Sequence, residues 1–293
     1  MSLKPAMMSA LALVAFAGNS VLCRLALSDD LIDPASFTGI RLVSGAATLL
    51  LLVQAIDFFK TRHGAEQQPR VNKRANLTWL APLMLFAYAA LFSFAYSTLA
   101  TGVGALILFG SVQITMLCIS LIQGNRLGLF EWLGLLVACA GLVYLVLPEL
   151  SEPSLMGFIM MAMAGMAWSL YTILGQGSQN PLNDTASNFI RSIPLAIILV
   201  LLFSAQLSAT PNTCLLAISS GAITSGLGYA IWYAALKDLT TSQAGVMQLL
   251  VPIIAALGGV VFANELISTR LLIASMLTLG GILIVLLAKK KTA

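Results

Sequence analysis

Arginine, glutamine, asparagine and tyrosine supply nearly all the chemistry available inside the long apolar runs of this chain. Arg41 and Arg191 occupy matching dipeptides, Ile40-Arg41 and Ile190-Arg191. A guanidinium keeps its charge and presents a fork of donors. Within an apolar segment it must therefore face a cavity or a partner. Two readings stay open for this pair: charges that gate or steer a substrate, or structural groups that cap helix-end carbonyls and reach back toward water. Gln113 and Gln248 carry amides that both donate and accept, suited to holding the polar ends of a zwitterion; the competing reading is hydrogen bonding between helices. Asn19 has the same double reading. Tyr88, Phe92 and Tyr96 recur one helical turn apart, as do Tyr229 with Tyr233 and Trp168 with Tyr171. They form either the wall of a cavity or ordinary packing.

What the apolar runs lack narrows the chemistry further. Asp57, Glu131 and Glu265 stand near the ends of runs, so no carboxylate occupies a mid-membrane position where a proton relay needs one. No GxxxxGK[ST] loop is present to cradle phosphates. Cys23, Cys118, Cys139 and Cys214 follow no metal-like or paired spacing. No nucleophile–base pair or metal-ligand cluster appears, so neither an enzyme, a metal nor a cofactor is expected. Arg24 is read as structural, with Asp29, Asp30 and Asp33 as candidate partners.

The elements that must position these groups are membrane helices. Of the 293 residues, 59% are hydrophobic and 9% charged, with a mean hydropathy of +0.96; a soluble domain carries about 25% charged residues. About 20 apolar residues span a bilayer core, and ten such spans follow one another. They are Ala6–Leu27, Pro34–Phe58, Leu77–Leu99, Val103–Gln123, Leu129–Leu147, Leu155–Leu174, Thr185–Ser204, Leu215–Leu236, Ala244–Ala263 and Leu271–Ala288. The first is too long for the apolar core of a cleaved signal peptide, and it carries Asn19 and Arg24. Lys and Arg favour cytoplasmic loops. Lys4, Lys60, Arg62, Arg70, Lys73, Arg74, Arg126, Lys237 and Lys289–Lys291 all fall inside if both termini are cytoplasmic, while the outer loops hold mainly acids, with Arg270 against the trend. The net charge of +4 thus reads as anchoring to the inner leaflet rather than to nucleic acid.

The chain also says one thing twice. Val246–Leu266 aligns with Ile107–Leu127, placing Gln113 on Pro252, Asn125 on Asn264 and Arg126 on Glu265. Phe16-Ala17-x-Asn19 aligns with Trp168-Ser169-x-Tyr171, Tyr96 with Tyr233, and Gly141 with Gly280. Five matches in order describe a duplicated five-helix unit. An odd number of spans per copy puts the second copy upside down. Inverted repeats place a binding site at their interface and work by alternating access. Pro252 is expected to kink the ninth span.

The motifs that carry a family resemblance are Phe16-Ala17-x-Asn19 with Arg24, the arginines of spans 2 and 7, Trp168-Ser169-Leu170-Tyr171, Tyr233-Ala234-Ala235-Leu236, and Pro252 with Asn264-Glu265. On these the whole chain resembles the ten-helix EamA-type exporters of the drug/metabolite transporter superfamily. The first unit departs from the pattern at Phe16, where the family often has Trp. It departs again at Gln113 and Asn125-Arg126, where Pro and a small residue followed by Glu are usual. The resemblance implies helices 1, 3, 4, 6, 8 and 9 around a central cavity, with helices 5 and 10 peripheral.

The resulting expectation is an all-α integral membrane protein, ten transmembrane helices arranged as two inverted five-helix repeats. It forms one domain over residues 1–293, with repeat one at about 4–148 and repeat two at about 153–290. The function implied is export of small metabolites, amino acids foremost, across the inner membrane. The alternatives are an efflux carrier for cationic or amphiphilic toxic compounds and a non-transporting membrane scaffold. Expected substrate-binding residues are Asn19, Tyr88, Tyr96, Gln113, Trp168, Tyr171, Tyr229 and Gln248, with Arg41 and Arg191 as gating or structural charges. The partners are a small-molecule substrate and the lipid bilayer, with no nucleic acid; a homodimer is compatible.

Overall fold

A bilayer offers no water to backbone groups, so a segment that enters it must satisfy its own N–H and C=O groups. The computed structural model, which describes residues 3–28, 31–62, 79–122, 124, 128–146, 154–175, 178, 180–236 and 247–292, is accordingly helical throughout its spans. The helices are α1 (Leu3–Leu27), α2 (Pro34–Arg62), α3 (Leu80–Tyr96), α4 (Thr101–Ile122) and α5 (Leu129–Val146). They continue with α6 (Leu155–Gly175), α7 (Pro181–Leu202), α8, α9 (Leu250–Ala263) and α10 (Thr269–Thr292). Helix α8 runs on through three pieces, Pro211–Ser219, a π-helical Ser220–Leu227, and Gly228–Leu236. Seven of the helices are long and apolar enough to cross a bilayer alone, and α3, α5 and α9 are shorter apolar helices. Together they account for all ten expected spans.

Proline and a capping side chain mark three helix starts. Asp33 Oδ1 accepts from the Ser36 N–H at 2.9 Å just ahead of Pro34. Asn180 caps α7 ahead of Pro181, and Thr210 forms a reciprocal capping box with Thr213 ahead of Pro211. These groups satisfy orphan donors of the first turn, where proline costs no hydrogen bond. As a result α7 and α8 begin about a turn before the apolar runs expected at Thr185 and Leu215. Pro252 differs from these three. The helical residues Met247 and Gln248 are separated from α9 by a break at Leu249, whose backbone stays right-handed helical with no capping side chain, as expected where a proline lacks the N–H that would continue the ladder. The expected lead-in, residues 244–246, lies outside the described residues.

The packing inverts that of a soluble protein. Leu51, Leu136, Leu202 and Met276 are exposed toward the lipid, while the largest fully buried side chains include Arg41, Tyr96, Tyr171 and Phe37. Small residues let helices approach closely. A side chain at Gly281 would strike the backbone of Gly134 and Ala138, which joins α10 to α5. One at Gly165 would strike Leu108 O and Ser111 Cβ, joining α6 to α4. The principal helix pairs obey a swap of the first five helices with the last five. α2 packs on α7, α4 on α9 and α5 on α10. The contact of α3 with α6 is mirrored by that of α8 with α1, and that of α4 with α6 by that of α9 with α1.

Candidate functional site

Four of the expected site residues meet at the centre of the bundle. Asn19, Tyr88, Trp168 and Tyr229 line one narrow void together with Phe16, Phe92, Leu108 and Phe109, contributed by α1, α3, α4, α6 and α8. Trp168 stands at its middle. Its ring lies 4.8 Å from that of Tyr88, 4.9 Å from Tyr229 and 6.2 Å from Phe16. It is held there because Ser169 Oγ donates to Val112 O at 3.0 Å, across the close α4–α6 contact at Gly165. The void has room for about one water molecule. In this arrangement the chamber is too small for a metabolite, and any larger guest requires the rings to move.

One side of the chamber is polar. Asn19 Oδ1 accepts from Ser220 Oγ at 2.6 Å and from Thr224 Oγ1 at 3.2 Å, both on the π-helical stretch of α8. Its Nδ2 donates to Tyr88 Oη at 3.5 Å. Behind Tyr88 lies Arg41, 1% exposed. Its Nη2 donates to Tyr88 Oη at 3.2 Å and its Nε to Ser225 Oγ at 3.1 Å. The guanidinium also stacks over the rings of Tyr88, at 5.2 Å, and Phe92, at 5.0 Å. Gly221 makes this placement possible, because any side chain there would run into the Arg41 carbonyl and Ser44. A π-helical stretch widens the turn and is frequent at functional sites; here it turns three hydroxyls toward α1 and α2.

Neighbouring ends of α1, α3, α4 and α9 are tied into a second polar node. Asn264 ends α9 in the left-handed region, with φ of 53°, so that Glu265 folds back over the helix. An asparagine tolerates that backbone better than most residues. Both Glu265 oxygens accept from the Thr101 N–H at 2.9 Å, and Oε1 also accepts from Thr101 Oγ1 at 3.0 Å. Thr101 opens α4, so the carboxylate meets an orphan donor at the positive end of a helix dipole. Arg24 Nε lies 3.4 Å from Glu265 Oε1, and Arg24 Nη1 donates to Tyr96 O at 3.2 Å. Tyr96 Oη donates to Thr101 O, also at 3.2 Å, which closes the circuit.

The remaining expected site residues are spread more widely. Tyr171 is buried beside the chamber, its ring 5.7 Å from that of Trp168. Tyr96 meets Phe92 edge-on at 4.7 Å but sends its hydroxyl into the second node. Gln113, half-buried on α4, and Gln248, buried just before α9, are not among the residues that line the void. Arg191 is half-buried and lies over the ring of Trp79 at 5.1 Å. Arg24 pairs with Glu265 rather than with Asp33. That aspartate is engaged by the N–H groups of Ser36 and Ser208, while residues 29 and 30 lie outside the described residues. Ser220, Thr224 and Ser225 were not foreseen as site residues. Their signal is the run Ser219–Gly228, dense in Ser, Thr and Gly inside an otherwise apolar span.

Comparison with known proteins follows the same lines. A model of the EamA-like transporter family matches residues 155–287. An uncharacterized protein of Pseudomonas aeruginosa is 44% identical over 280 residues, 96% of this chain and 93% of the relative. The uncharacterized transporter YwfM of Bacillus subtilis is 25% identical across 92% of this chain and 90% of its own. An uncharacterized transporter of Archaeoglobus fulgidus is 23% identical across 96% and 97%. A solved crystal structure superimposes with a TM-score of 0.63 at 18% identity, covering 97% of this chain and 99% of that one. At that identity the likeness speaks to the fold alone.

Proposed function

Because the chain belongs to the EamA-like transporter family, we propose that it exports small amphipathic metabolites, amino acids foremost, across the inner membrane by alternating access. The observation that carries this reading is the narrow central chamber, with aromatic rings on most sides and a polar side of Asn19 and Tyr88 backed by Ser220 and Thr224. Such a chamber suits a guest with one apolar and one polar end. The mirrored helix pairs support two inverted five-helix units that rock about it. The outer node of Arg24, Glu265, Thr101 and Tyr96 is then the closed outer gate.

Direction and energy follow from the same residues. Among the described residues the carboxylates lie near helix ends, as Asp57, Glu131, Asp184 and Glu265 do. Transport driven by the substrate gradient or by exchange therefore needs no proton. The alternative of a lipophilic-cation carrier is disfavoured by the cation of Arg41, which lies over Tyr88 beside the chamber. Both termini are cytoplasmic in this reading. Single cysteines at Ser151 and Gln67, both outside the described residues, then label from opposite faces of intact cells, Ser151 from outside; labelling of both from one face refutes the topology.

The deciding experiment is efflux from proteoliposomes preloaded with leucine, phenylalanine or tetraphenylphosphonium. Release of the amino acids above protein-free vesicles is expected. Release of tetraphenylphosphonium alone would select the efflux-carrier reading instead.

A further inference from the structure

Arg41 is the most anomalous group in the bundle. It is 1% exposed, yet both of its hydrogen bonds go to neutral oxygens, Tyr88 Oη and Ser225 Oγ. Its third nitrogen, Nη1, is buried with no partner. Arg24 has a carboxylate partner in Glu265, whereas among the described residues no carboxylate faces Arg41. A buried ion is ordinarily paired, and two ring faces with two neutral acceptors offset only part of the loss of water. The polar groups around it are incomplete in a matching way. Tyr88 Oη receives donors from both Arg41 and Asn19, and Tyr229 Oη, on another wall of the chamber and within electrostatic range of Arg41, is buried without a hydrogen-bond partner.

Donors that converge on one oxygen, a fork with a free tine and an unused hydroxyl describe the surroundings of an anion. We propose that Arg41 is the receptor for a carboxylate of the transported molecule, and that the Tyr88 hydroxyl holds its seat while the chamber is empty. Tyr88 and Phe92 stand between the guanidinium and the void. Rotation of Tyr88 uncovers the fork, so an incoming carboxylate replaces a neutral acceptor with a counter-charge. The ligand's apolar body then lies among Phe16, Trp168 and Tyr229. The proposal rests on the transport reading above and narrows its cargo to anions and zwitterions with an apolar body.

The test compares phenylalanine, 3-phenylpropionate and phenethylamine, which share a ring and differ in carboxylate and amine. Binding to the full-length protein in detergent is read from thermal shifts, and efflux from proteoliposomes is measured alongside. The wild type is expected to bind phenylalanine and phenylpropionate at least about tenfold more tightly than phenethylamine, the scale of one charge-assisted contact. Arg41→Gln is expected to lose that preference. Its empty form is expected to melt no earlier than the wild type, because an unpaired buried charge has been removed. Arg41→Lys, which keeps charge without the fork, recovers only part of the preference. Tyr88→Phe removes the competing hydroxyl and is expected to bind both carboxylates more tightly; this variant decides the matter if Arg41 variants fail to fold. Equal binding of phenethylamine and phenylalanine by the wild type, or weaker carboxylate binding by Tyr88→Phe, overturns the proposal while leaving transport intact. Absence of any amino-acid efflux overturns the transport reading and this proposal with it.

Discussion

Three of the arginines within the helices, Arg24, Arg41 and Arg191, are divided by their surroundings into three kinds. Arg24 has a carboxylate, Glu265, at 3.4 Å and a backbone carbonyl besides. Arg191 lies half-exposed over Trp79. Arg41, its counterpart in the sequence repeat, is buried against two rings and two hydroxyls with one nitrogen unbonded. The same side chain is thus a fastener between helix ends, a rim contact on α7 and an unsatisfied charge beside the central chamber. The difference between Arg41 and Arg191 arises from their neighbours. Gly221 admits α2 against α8, so Arg41 meets Ser225 and the back of Tyr88, whereas Arg191 meets an exposed tryptophan.

That contrast can be broken in order of size. The largest expected effect is on transport: Arg41→Gln should reduce phenylalanine efflux at limiting concentration by about tenfold or more, while Arg191→Gln stays within about twofold. Equal losses in the two variants would erase the distinction. Next is the paired arginine. Glu265→Gln leaves Arg24 without its counter-ion and weakens the bond to the start of α4, costing about 1–3 kcal/mol, read as an earlier melt of the purified protein. An unchanged melt would mean that this node contributes nothing to stability.

Asn19→Leu comes third. It strands the buried hydroxyl of Ser220, whereas Thr224 Oγ1 keeps its bond to Ser220 O at 2.8 Å, for an expected loss of about 1–2 kcal/mol in thermal stability. Rescue by Ser220→Ala in the same chain would show that the stranded hydroxyl is the cause. Smallest is Trp79→Leu, which removes the ring beneath Arg191. A partly exposed cation–π contact contributes about 0.5–1 kcal/mol, so the melt should move by a degree or two and efflux should not change.

The spans and their order were legible in the sequence because a bilayer imposes length and apolarity on every segment that crosses it. The errors at their edges came from reading hydropathy alone. Asn180-Pro181 and Thr210-Pro211 mark the starts of α7 and α8, a turn ahead of the apolar runs. The candidate site was legible in part, since polar and aromatic side chains inside apolar runs are conspicuous; Asn19, Tyr88, Trp168 and Tyr229 do meet. Which side chains would touch was not legible. These helices are apolar on nearly every face, so no polar stripe fixes their rotation about their axes. Glu265 and Thr101 are 164 positions apart, and their meeting depends on Asn264 turning the chain back. The π-helical stretch was hidden for a related reason. Its small residues announce close approach, but the wider turn that aims three hydroxyls at α1 and α2 comes from the packing itself.

The central claim is that this protein moves amphipathic metabolites through the chamber without a proton. Its most direct test is efflux of labelled phenylalanine from proteoliposomes holding the wild-type protein, with and without a collapsed pH gradient. The expected result is release well above protein-free vesicles at the same rate in both conditions, reduced about tenfold or more by Arg41→Gln. Release that stops when the pH gradient alone is collapsed, or no release at all, would contradict the account.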